Sequence, residues 1–236
     1  MRGRVALLTA LAMLAFAGNS LLCRAALRET AIDAATFTSI RIVSGAIALW
    51  LIVRMRGAGT REGSWPSAFW LFAYAAAFSF AYVTLTAATG ALLLPGVSAP
   101  PLPGAVLMIG AGVAWGFYSL RGRGAGDPTR VTAGNFLRAA PMALAVSVAT
   151  ASYFSVDAAG VAYAVASGAI TSGVGYAIWY TALPSLKATV AATVQLSVPV
   201  IAAMGGVLLL GEALTLRLVL CSIAILGGIA LVVRRR

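Results

Sequence analysis

One stretch of the sequence decides the fold class, and it reads Gln195-Leu-Ser-Val-Pro-Val-Ile-Ala-Ala-Met-Gly-Gly-Val-Leu-Leu-Leu-Gly-Glu-Ala-Leu-Thr215. Most of it belongs to an apolar run, residues 188–210, that is long enough to cross a bilayer core, which takes about 20 residues. A second apolar run, 216–233, follows after a short turn. The pattern predicts two consecutive membrane helices. Pro199 is expected to kink the first of them, either as a hinge or as a packing feature.

Runs of the same kind continue through the whole chain. Soluble domains carry about 25% charged residues, whereas this chain has 10% charged residues, 61% hydrophobic residues and a mean hydropathy of +0.96. This composition excludes an ordinary soluble domain and predicts an all-α, polytopic membrane helical bundle. About eight transmembrane helices are expected, at residues 5–23, 34–53, 67–88, 104–120, 131–151, 159–182, 188–210 and 216–233.

A proline-rich segment divides the chain. Residues 95–103 contain four prolines and are too short to span a bilayer and too rich in proline to remain helical. We expect a linker here. It separates a first unit of three helices, residues 1–94, from a second unit of five helices, residues 104–236.

The charged residues predict the orientation. The chain has 17 Lys and Arg against 6 Asp and Glu, and positively charged flanks of membrane helices stay in the cytoplasm. If the helices alternate in direction, most of these basic residues lie on one side, which predicts an inner-membrane protein with both termini cytoplasmic. The basic residues on that side are Arg2, Arg4, Arg54, Arg56, Arg61, Arg121, Arg123, Arg130, Lys187, Arg234, Arg235 and Arg236.

The basic character does not indicate a nucleic-acid partner or a cleaved leader. The basic residues form short flanks without the interleaved aromatic residues of a single-strand groove, so no nucleic-acid partner is expected. The N-terminus resembles a cleavable signal peptide, but its apolar run continues past the cleavage-like site to Cys23, so we expect it to remain as a membrane helix.

The sequence lacks residues on which many enzymes and metal sites depend. The sequence contains no His, the commonest metal ligand and proton shuttle. Its two Cys, Cys23 and Cys221, are far apart and are expected to be buried thiols rather than a disulfide. We therefore expect no enzyme activity, no catalytic residue, no metal site and no cofactor.

Two parts of the chain resemble each other. Residues 16–24 (Phe-Ala-Gly-Asn-Ser-Leu-Leu-Cys-Arg) align with residues 115–123 (Trp-Gly-Phe-Tyr-Ser-Leu-Arg-Gly-Arg), and each is followed by a helix with one internal arginine, Arg41 or Arg138. By the alternation of the helices the two copies have opposite directions. Such inverted repeats are typical of secondary transporters, whose substrate site lies between the copies.

The two copies differ in length. Residues 82–91 (Tyr-Val-Thr-Leu-Thr-Ala-Ala-Thr-Gly-Ala) are similar to residues 180–191 (Tyr-Thr-Ala-Leu-Pro-Ser-Leu-Lys-Ala-Thr-Val-Ala), which matches Thr89 with Thr189. Two further helices follow Thr189 in the second half, whereas the proline-rich segment follows Thr89 within about six residues. A segment of roughly 40 residues, enough for two helices of about 20 residues each, is therefore missing from the first half.

These features together resemble a known family. The motif at 15–20, its counterpart at 114–118, the paired Arg41 and Arg138, and above all the stretch 195–215 are similar to the EamA-like branch of the drug/metabolite transporter superfamily. The resemblance implies ten helices in two inverted five-helix repeats, of which this chain lacks the fourth and fifth. It also implies export or exchange of small metabolites, such as amino acids, by alternating access.

Two functions are compatible with the shortened sequence. A chain without two of its helices is either a working transporter or a shortened transporter homologue that has a structural role or assembles with a partner. The expected partners are the lipid bilayer, a small-molecule substrate and, as a candidate, a second copy of the chain.

Two groups of residues are candidates for the substrate site. Arg41 and Arg138 lie inside predicted spans, where a charge needs a partner or water. Each either contacts a substrate carboxylate or, being within two turns of a helix end, extends to the interface or binds loop carbonyls. Their symmetric placement favours a structural role. Polar and aromatic residues at depth are the other candidates for a cavity that binds a small zwitterion: Asn19, Tyr82, Trp115, Tyr118, Tyr176, Trp179 and Gln195.

Three acidic residues are expected to stabilise helix starts. Asp33 and Asp127 precede second helices and are predicted N-caps. Glu212 follows Gly211 at the start of the last helix, where it is expected to interact with the helix dipole and to pair with Arg217.

Overall fold

The chain is a bundle of α-helices. The structure, a computed structural model, describes residues 2–57, 59, 62–85, 101–122 and 126–234. Within this part the α-helices are α1 (Arg2–Glu29), α2 (Ala34–Met55), α3 (Trp65–Tyr82), α4 (Leu102–Gly122), α5 (Pro128–Ala149), α6 (Ala158–Ala166), α7 (Gly175–Ala182), α8 (Ala188–Gln195), α9 (Ser197–Leu210) and α10 (Leu216–Arg234). A π-helical segment, Ser167–Val174, joins α6 to α7.

The helices agree with the predicted all-α membrane fold. Among the described residues, six helical stretches are long and apolar enough to cross a membrane: Gly3–Glu29, Ala34–Met55, Leu102–Gly122, Pro128–Ala149, Ala158–Ser185 and Ala188–Leu210. The other two predicted runs contain α3 and α10. Most of the predicted linker, residues 95–100, and the end of the third run lie outside the described residues.

Acidic residues cap the starts of α2 and α5, as the sequence predicted. The Asp33 carboxylate accepts hydrogen bonds from the backbone N–H groups of Ala35 and Thr36, both at 2.9 Å. Its second oxygen accepts from the N–H of Ser155 at 3.1 Å. Asp127 accepts from the N–H of Arg130 at 2.8 Å. Both residues are therefore N-caps, which satisfy backbone donors that a helix start leaves open.

Glu212 does not cap the last helix. Gly211 ends α9 with φ +62°, a left-handed conformation that favours glycine. Helix α10 begins four residues after Glu212, and the Thr215 hydroxyl accepts from the N–H of Leu218 at 3.2 Å instead. The Glu212 carboxylate lies 3.6 Å from the Arg24 guanidinium of α1. The turn at Gly211 directs this carboxylate toward α1, and the side chain of Arg217 lies outside the described residues.

Small residues allow the central helices to pack closely. Helix α2 packs against α5 and the π-helical segment, α1 packs against α6 and α7, and α3 packs against α4. A Cβ on Gly45 of α2 would meet the Phe136 ring at 2.6 Å, and one on Gly168 would meet the backbone of Arg41. Close backbone approach at small residues is the usual way in which membrane helices associate. Cys23 and Cys221 are buried free thiols, as expected.

The first helices of the two halves have different surroundings. On α1, Leu21 packs against Gly205 of α9. In the sequence alignment of residues 16–24 with 115–123, Leu21 corresponds to Leu120 of α4, and Leu120 is 68% exposed. A Cβ on Gly110, Gly112 or Gly116 of α4 would meet no atom within 4 Å among the described residues. Helix α9 therefore covers α1, whereas the corresponding face of α4 borders an open cavity in the described part.

Candidate functional site

Arg41 lies in the interior of the bundle. Its side chain is 1% exposed, and its Nε donates to the Ser172 hydroxyl at 3.0 Å. One terminal nitrogen, Nη2, donates to the Tyr176 hydroxyl at 3.4 Å. The other, Nη1, is buried with no hydrogen-bond partner among the described residues. The expectation that Arg41 extends to the interface is wrong, because the hydroxyls of the π-helical segment and of α7 hold its guanidinium inside.

Aromatic faces supply part of the environment of this charge. The guanidinium carbon of Arg41 lies 5.5 Å from the Tyr74 ring centroid and 5.4 Å from that of Phe78. Cation–π contacts at this distance contribute roughly 1–2 kcal/mol where water is excluded. The ion pairs among the described residues join Arg24 to Glu212 and Arg130 to Glu62, and neither includes Arg41. Arg41 thus carries a buried positive charge without a carboxylate in the described part.

Asn19 organises the hydroxyls around Arg41. Its Oδ1 accepts from Ser167 at 2.7 Å, from Ser172 at 3.3 Å and from Thr171 at 3.4 Å. All three hydroxyls come from the π-helical segment, whose wider turn is a feature often found at functional sites. Ser172 links Asn19 to Arg41, so three separate segments of the chain meet in one buried polar cluster.

Aromatic rings separate this cluster from an open cavity. The Trp115 ring lies 5.0 Å from the Tyr176 ring and 5.1 Å from the Tyr74 ring, centroid to centroid. Phe16 meets Trp115 edge to face at 5.4 Å. The Trp115 indole N–H donates to Gln195 Oε1 at 2.6 Å. Trp115 therefore contacts the surroundings of Arg41 on one side and Gln195 on the other.

The cavity lies between α4 and α8. Its volume is about 330 Å³, and it is lined by small and apolar residues together with Trp115, Ser119 and Gln195. A volume of this size is at the lower end of small-molecule sites, about 300–1,000 Å³. The arrangement can bind a small solute that has one polar end.

Arg138 has a different environment from Arg41. Its Nη1 donates at 2.9 Å to the carbonyl of Gly134, one turn earlier in α5, and at 2.9 Å to the carbonyl of Glu62 in the loop before α3. The side chain is half-buried. Arg138 thus joins α5 to a loop, as the structural interpretation predicted for it.

A model of the EamA-like transporter family matches residues 102–234, more than half of the chain. The chain belongs to this family. EamA-like proteins are membrane transporters and not enzymes. Membership therefore confirms the predicted family, the multi-pass membrane character and the prediction that the protein is not an enzyme.

Individual proteins are also similar to this chain. The chain is 51% identical to Uncharacterized protein PA1977 of Pseudomonas aeruginosa, over 99% of this chain and 96% of that protein. Their alignment extends over 274 residues, although this chain has 236, so about 40 residues of the relative have no counterpart here. One solved crystal structure covers 98% of this EamA-like chain and 99% of its own, with a TM-score of 0.74 and 19% identity, which shows a shared fold.

The remaining candidates lie outside the cavity of this EamA-like chain. Trp179 is fully buried against Phe16, Tyr118 lines a separate small cavity with Tyr180, and Tyr82 packs on Phe78. Pro199 lies in the first turn of α9, just after the helix is interrupted at Leu196. The predicted kink is therefore an interruption between α8 and α9.

Sequence reasoning missed several members of the polar cluster. Ser167, Thr171 and Ser172 are hydroxyls in an apolar span, where each can also bond its own helix. Tyr74 is one of several aromatic residues of α3 that the sequence does not distinguish from each other. The run Ser-Gly-Ala-Ile-Thr-Ser-Gly at 167–173 is the local signal from which this cluster could have been found.

Proposed function

We propose that this protein transports small organic solutes that carry a carboxylate, such as amino acids, and that Arg41 binds the carboxylate. The observation that carries this proposal is the buried Arg41, whose Nη1 has no hydrogen-bond partner in the described part. A charge inside the membrane is costly unless it meets a partner. A bound carboxylate supplies the opposite charge and accepts the remaining N–H bonds, and Arg–carboxylate hydrogen bonds are among the strong ones.

Neighbouring groups suit the rest of such a solute. The Trp115 ring, which lines the cavity, offers a face for an ammonium group, since aromatic faces attract cations. The apolar wall of the cavity between α4 and α8 suits a side chain of moderate size. Movement of Trp115 away from Gln195 would connect the cavity with Arg41, so a solute entering the cavity could reach the buried guanidinium.

The packing supports alternating access by two inverted repeats. Phe16 and Trp115, which correspond in the repeat, contact each other. Helices α2 and α5, which also correspond, pack together. The contact of α1 with α6 and α7 has its counterpart in the contact of α3 with α4. Contacts between equivalent elements are what a two-fold relation between halves produces, and such halves commonly rock about a midplane site.

The proposed organisation follows the sequence. Residues 1–94 form the shortened first repeat, residues 95–103 the linker and residues 104–236 the second repeat. We place the protein in the inner membrane with both termini cytoplasmic, because the basic flanks lie on that side, and we expect Pro199 to act in the hinge between α8 and α9.

Proteoliposomes test the transport proposal. Purified protein is reconstituted and given a panel of labelled amino acids, carboxylic acids and the matching amines without the carboxylate. We expect uptake or exchange of at least one carboxylate solute and none of its decarboxylated partner. Uptake equal to that of empty liposomes across the panel would contradict the proposal.

A second candidate function is a partner-assembled membrane protein without transport of its own. The observation that favours it is the glycine face of α4, which borders the open cavity and where Leu120 is exposed although its counterpart Leu21 packs on α9. In this case a helix of a second copy would cover α4. Single cysteines at Gly112 and Gly116 would then cross-link between copies in membranes, while transport would be absent.

A further inference from the structure

A second cavity lies in a different part of the bundle from the cavity between α4 and α8. Its volume is about 420 Å³, and it is formed by α1, the end of α2, the start of α5 and the region around α7. None of its lining residues belongs to the cavity of Trp115 and Gln195. This cavity can therefore bind a ligand other than the proposed substrate.

The polar end of this cavity lies at the ends of membrane helices. Arg4 is in the first turn of α1, and Arg56 directly follows α2. Both side chains are exposed and line the cavity. Arg56 donates to the Thr129 hydroxyl at 3.2 Å, which fixes its guanidinium beside the start of α5. Two arginine side chains thus line one cavity at the ends of two membrane helices, where lipid headgroups are expected.

The wall of the cavity becomes apolar one helical turn deeper. Leu8 follows Arg4 by four residues and Ile52 precedes Arg56 by four residues, so in both helices the arginine and the aliphatic residue share a face. Four residues correspond to about 6 Å along a helix. Val174, Ala177 and Ile178 complete the apolar wall. The charge and the apolar surface are therefore separated along the membrane normal, as in a phospholipid.

One acidic group also lines this cavity. The Asp127 carboxylate caps α5 by accepting from the N–H of Arg130 at 2.8 Å. Two arginines and one aspartate leave a positive balance, and the start of α5 adds the positive end of a helix dipole. An anionic ligand is thus favoured over a zwitterionic one.

We propose that this cavity is a binding site for an anionic phospholipid, whose phosphate lies between Arg4 and Arg56 and whose acyl chain lies along Leu8, Ile52 and Ile178. Basic pockets between membrane helices on the cytoplasmic side bind anionic headgroups. A soluble phosphate would meet only the polar end and leave the apolar wall uncovered. This site is independent of the transport proposal.

Lipid retention tests the site in the full chain. The protein is reconstituted with equal amounts of dioleoylphosphatidylglycerol and dioleoylphosphatidylcholine, purified again, and its retained lipids are measured by mass spectrometry. We expect enrichment of phosphatidylglycerol. Each of Arg4→Gln and Arg56→Gln should lower this enrichment about fivefold, as expected for one arginine near a membrane surface.

Two further variants test whether lipid binding depends on the position of the arginines and on the apolar wall of the cavity. Arg54→Gln is the matched control, since Arg54 lies at the same end of α2 but over the Trp50 ring, 5.7 Å from its centroid, and does not line the cavity. It should retain the enrichment. Ile178→Trp should lower it by filling the apolar wall while keeping both arginines. The unfolding temperature of the wild type is also measured with added inorganic phosphate and with added phosphatidylglycerol, and only the lipid should raise it. The proposal would be overturned if the wild type showed no enrichment, if Arg54→Gln lost the enrichment as fully as Arg56→Gln, or if phosphate raised the unfolding temperature as much as the lipid.

Discussion

Two arginines at corresponding positions of the proposed repeat have opposite environments. Arg41 in α2 and Arg138 in α5 lie in helices of 22 residues that begin at an aspartate cap and pack against each other. The Arg41 guanidinium points into the bundle and contacts hydroxyls and aromatic rings. The Arg138 guanidinium bonds the carbonyls of Gly134 and Glu62.

The difference shows what a buried arginine needs for a structural role. Two backbone carbonyls at 2.9 Å give Arg138 strong acceptors with partial negative charge. Ser172 and Tyr176 give Arg41 weaker hydroxyl acceptors, and one of its nitrogens has no partner in the described part. Arg138 is therefore satisfied by the fold itself, whereas Arg41 keeps a buried donor, Nη1, that our proposal assigns to the carboxylate of the solute.

The largest expected effect comes from removing the inner charge. Arg41→Met should lower uptake of a carboxylate solute about 100-fold, because truncating one partner of a buried charged contact costs about 2–5 kcal/mol. Its unfolding temperature should stay the same or rise, since apolar replacement of a buried charge is often neutral or stabilising. Uptake and thermal unfolding are measured on the same preparation. A large drop in unfolding temperature would give Arg41 the structural role of Arg138.

The matched change in the other half should have the reverse effect. Arg138→Met removes hydrogen bonds to two backbone carbonyls and should destabilise the protein by about 2 kcal/mol, given that hydrogen bonds to charged groups contribute about 1.5–3 kcal/mol. Uptake per folded molecule should remain within about twofold of wild type, a change of under about 0.5 kcal/mol. Reversible unfolding in detergent measures the first value. Loss of uptake without loss of stability would place Arg138 in the substrate path.

A smaller effect is expected from the hydroxyl that orients Arg41. Ser172→Ala should raise the KM for uptake about fivefold, because a hydrogen bond contributes about 1 kcal/mol. Ser197→Ala is the matched control, since the Ser197 hydroxyl bonds the carbonyl of Val194 within the interruption between α8 and α9. An equal rise of KM in both variants would show that Ser172 has no special role.

The smallest effect concerns the cap of α2. Burial of the Asp33 carboxyl raises its pKa, but hydrogen bonds from Thr36, Ser155 and Ala35 outweigh this, and the pKa of Asp33 lies below its ordinary value. The ionised carboxylate therefore stabilises the fold fully above an ordinary pKa of about 3.9, and this stabilisation is lost as the pH falls through the lowered pKa.

Asp33→Asn measures that contribution. The difference in unfolding temperature between wild type and variant should be constant from about pH 7 to pH 5 and should shrink below about pH 4, where Asp33 takes up a proton. A difference that already shrinks between pH 7 and pH 6 would contradict the assignment to Asp33.

Local features of this fold could be predicted from the sequence. The apolar runs predicted the membrane helices because a span must be about 20 apolar residues long. Asp33 and Asp127 could be recognised as caps because a cap bonds only the next few residues. The family-specific stretch 195–215 predicted the EamA-like relationship, which the family match confirms.

Features that depend on neighbouring helices could not be predicted. The sequence places Arg41 and Arg138 alike, and only the packing of the π-helical segment against α2 directs Arg41 inward. The Glu212 carboxylate meets Arg24 because α9 packs on α1, a contact between residues far apart in sequence. The hydroxyls of Ser167 and Ser172 belong to the site for the same reason.

The most direct test of the proposed role of Arg41 is a thermodynamic cycle between this residue and the carboxylate of the solute. Uptake of one carboxylate solute and of its uncharged amide is measured in proteoliposomes with wild type and with Arg41→Met. In wild type the amide should be taken up about 100-fold less well, the equivalent of about 2.8 kcal/mol. In Arg41→Met the two solutes should differ by less than about threefold, because their distinguishing partner is gone. An equal preference for the carboxylate in both proteins would contradict the claim that Arg41 binds it.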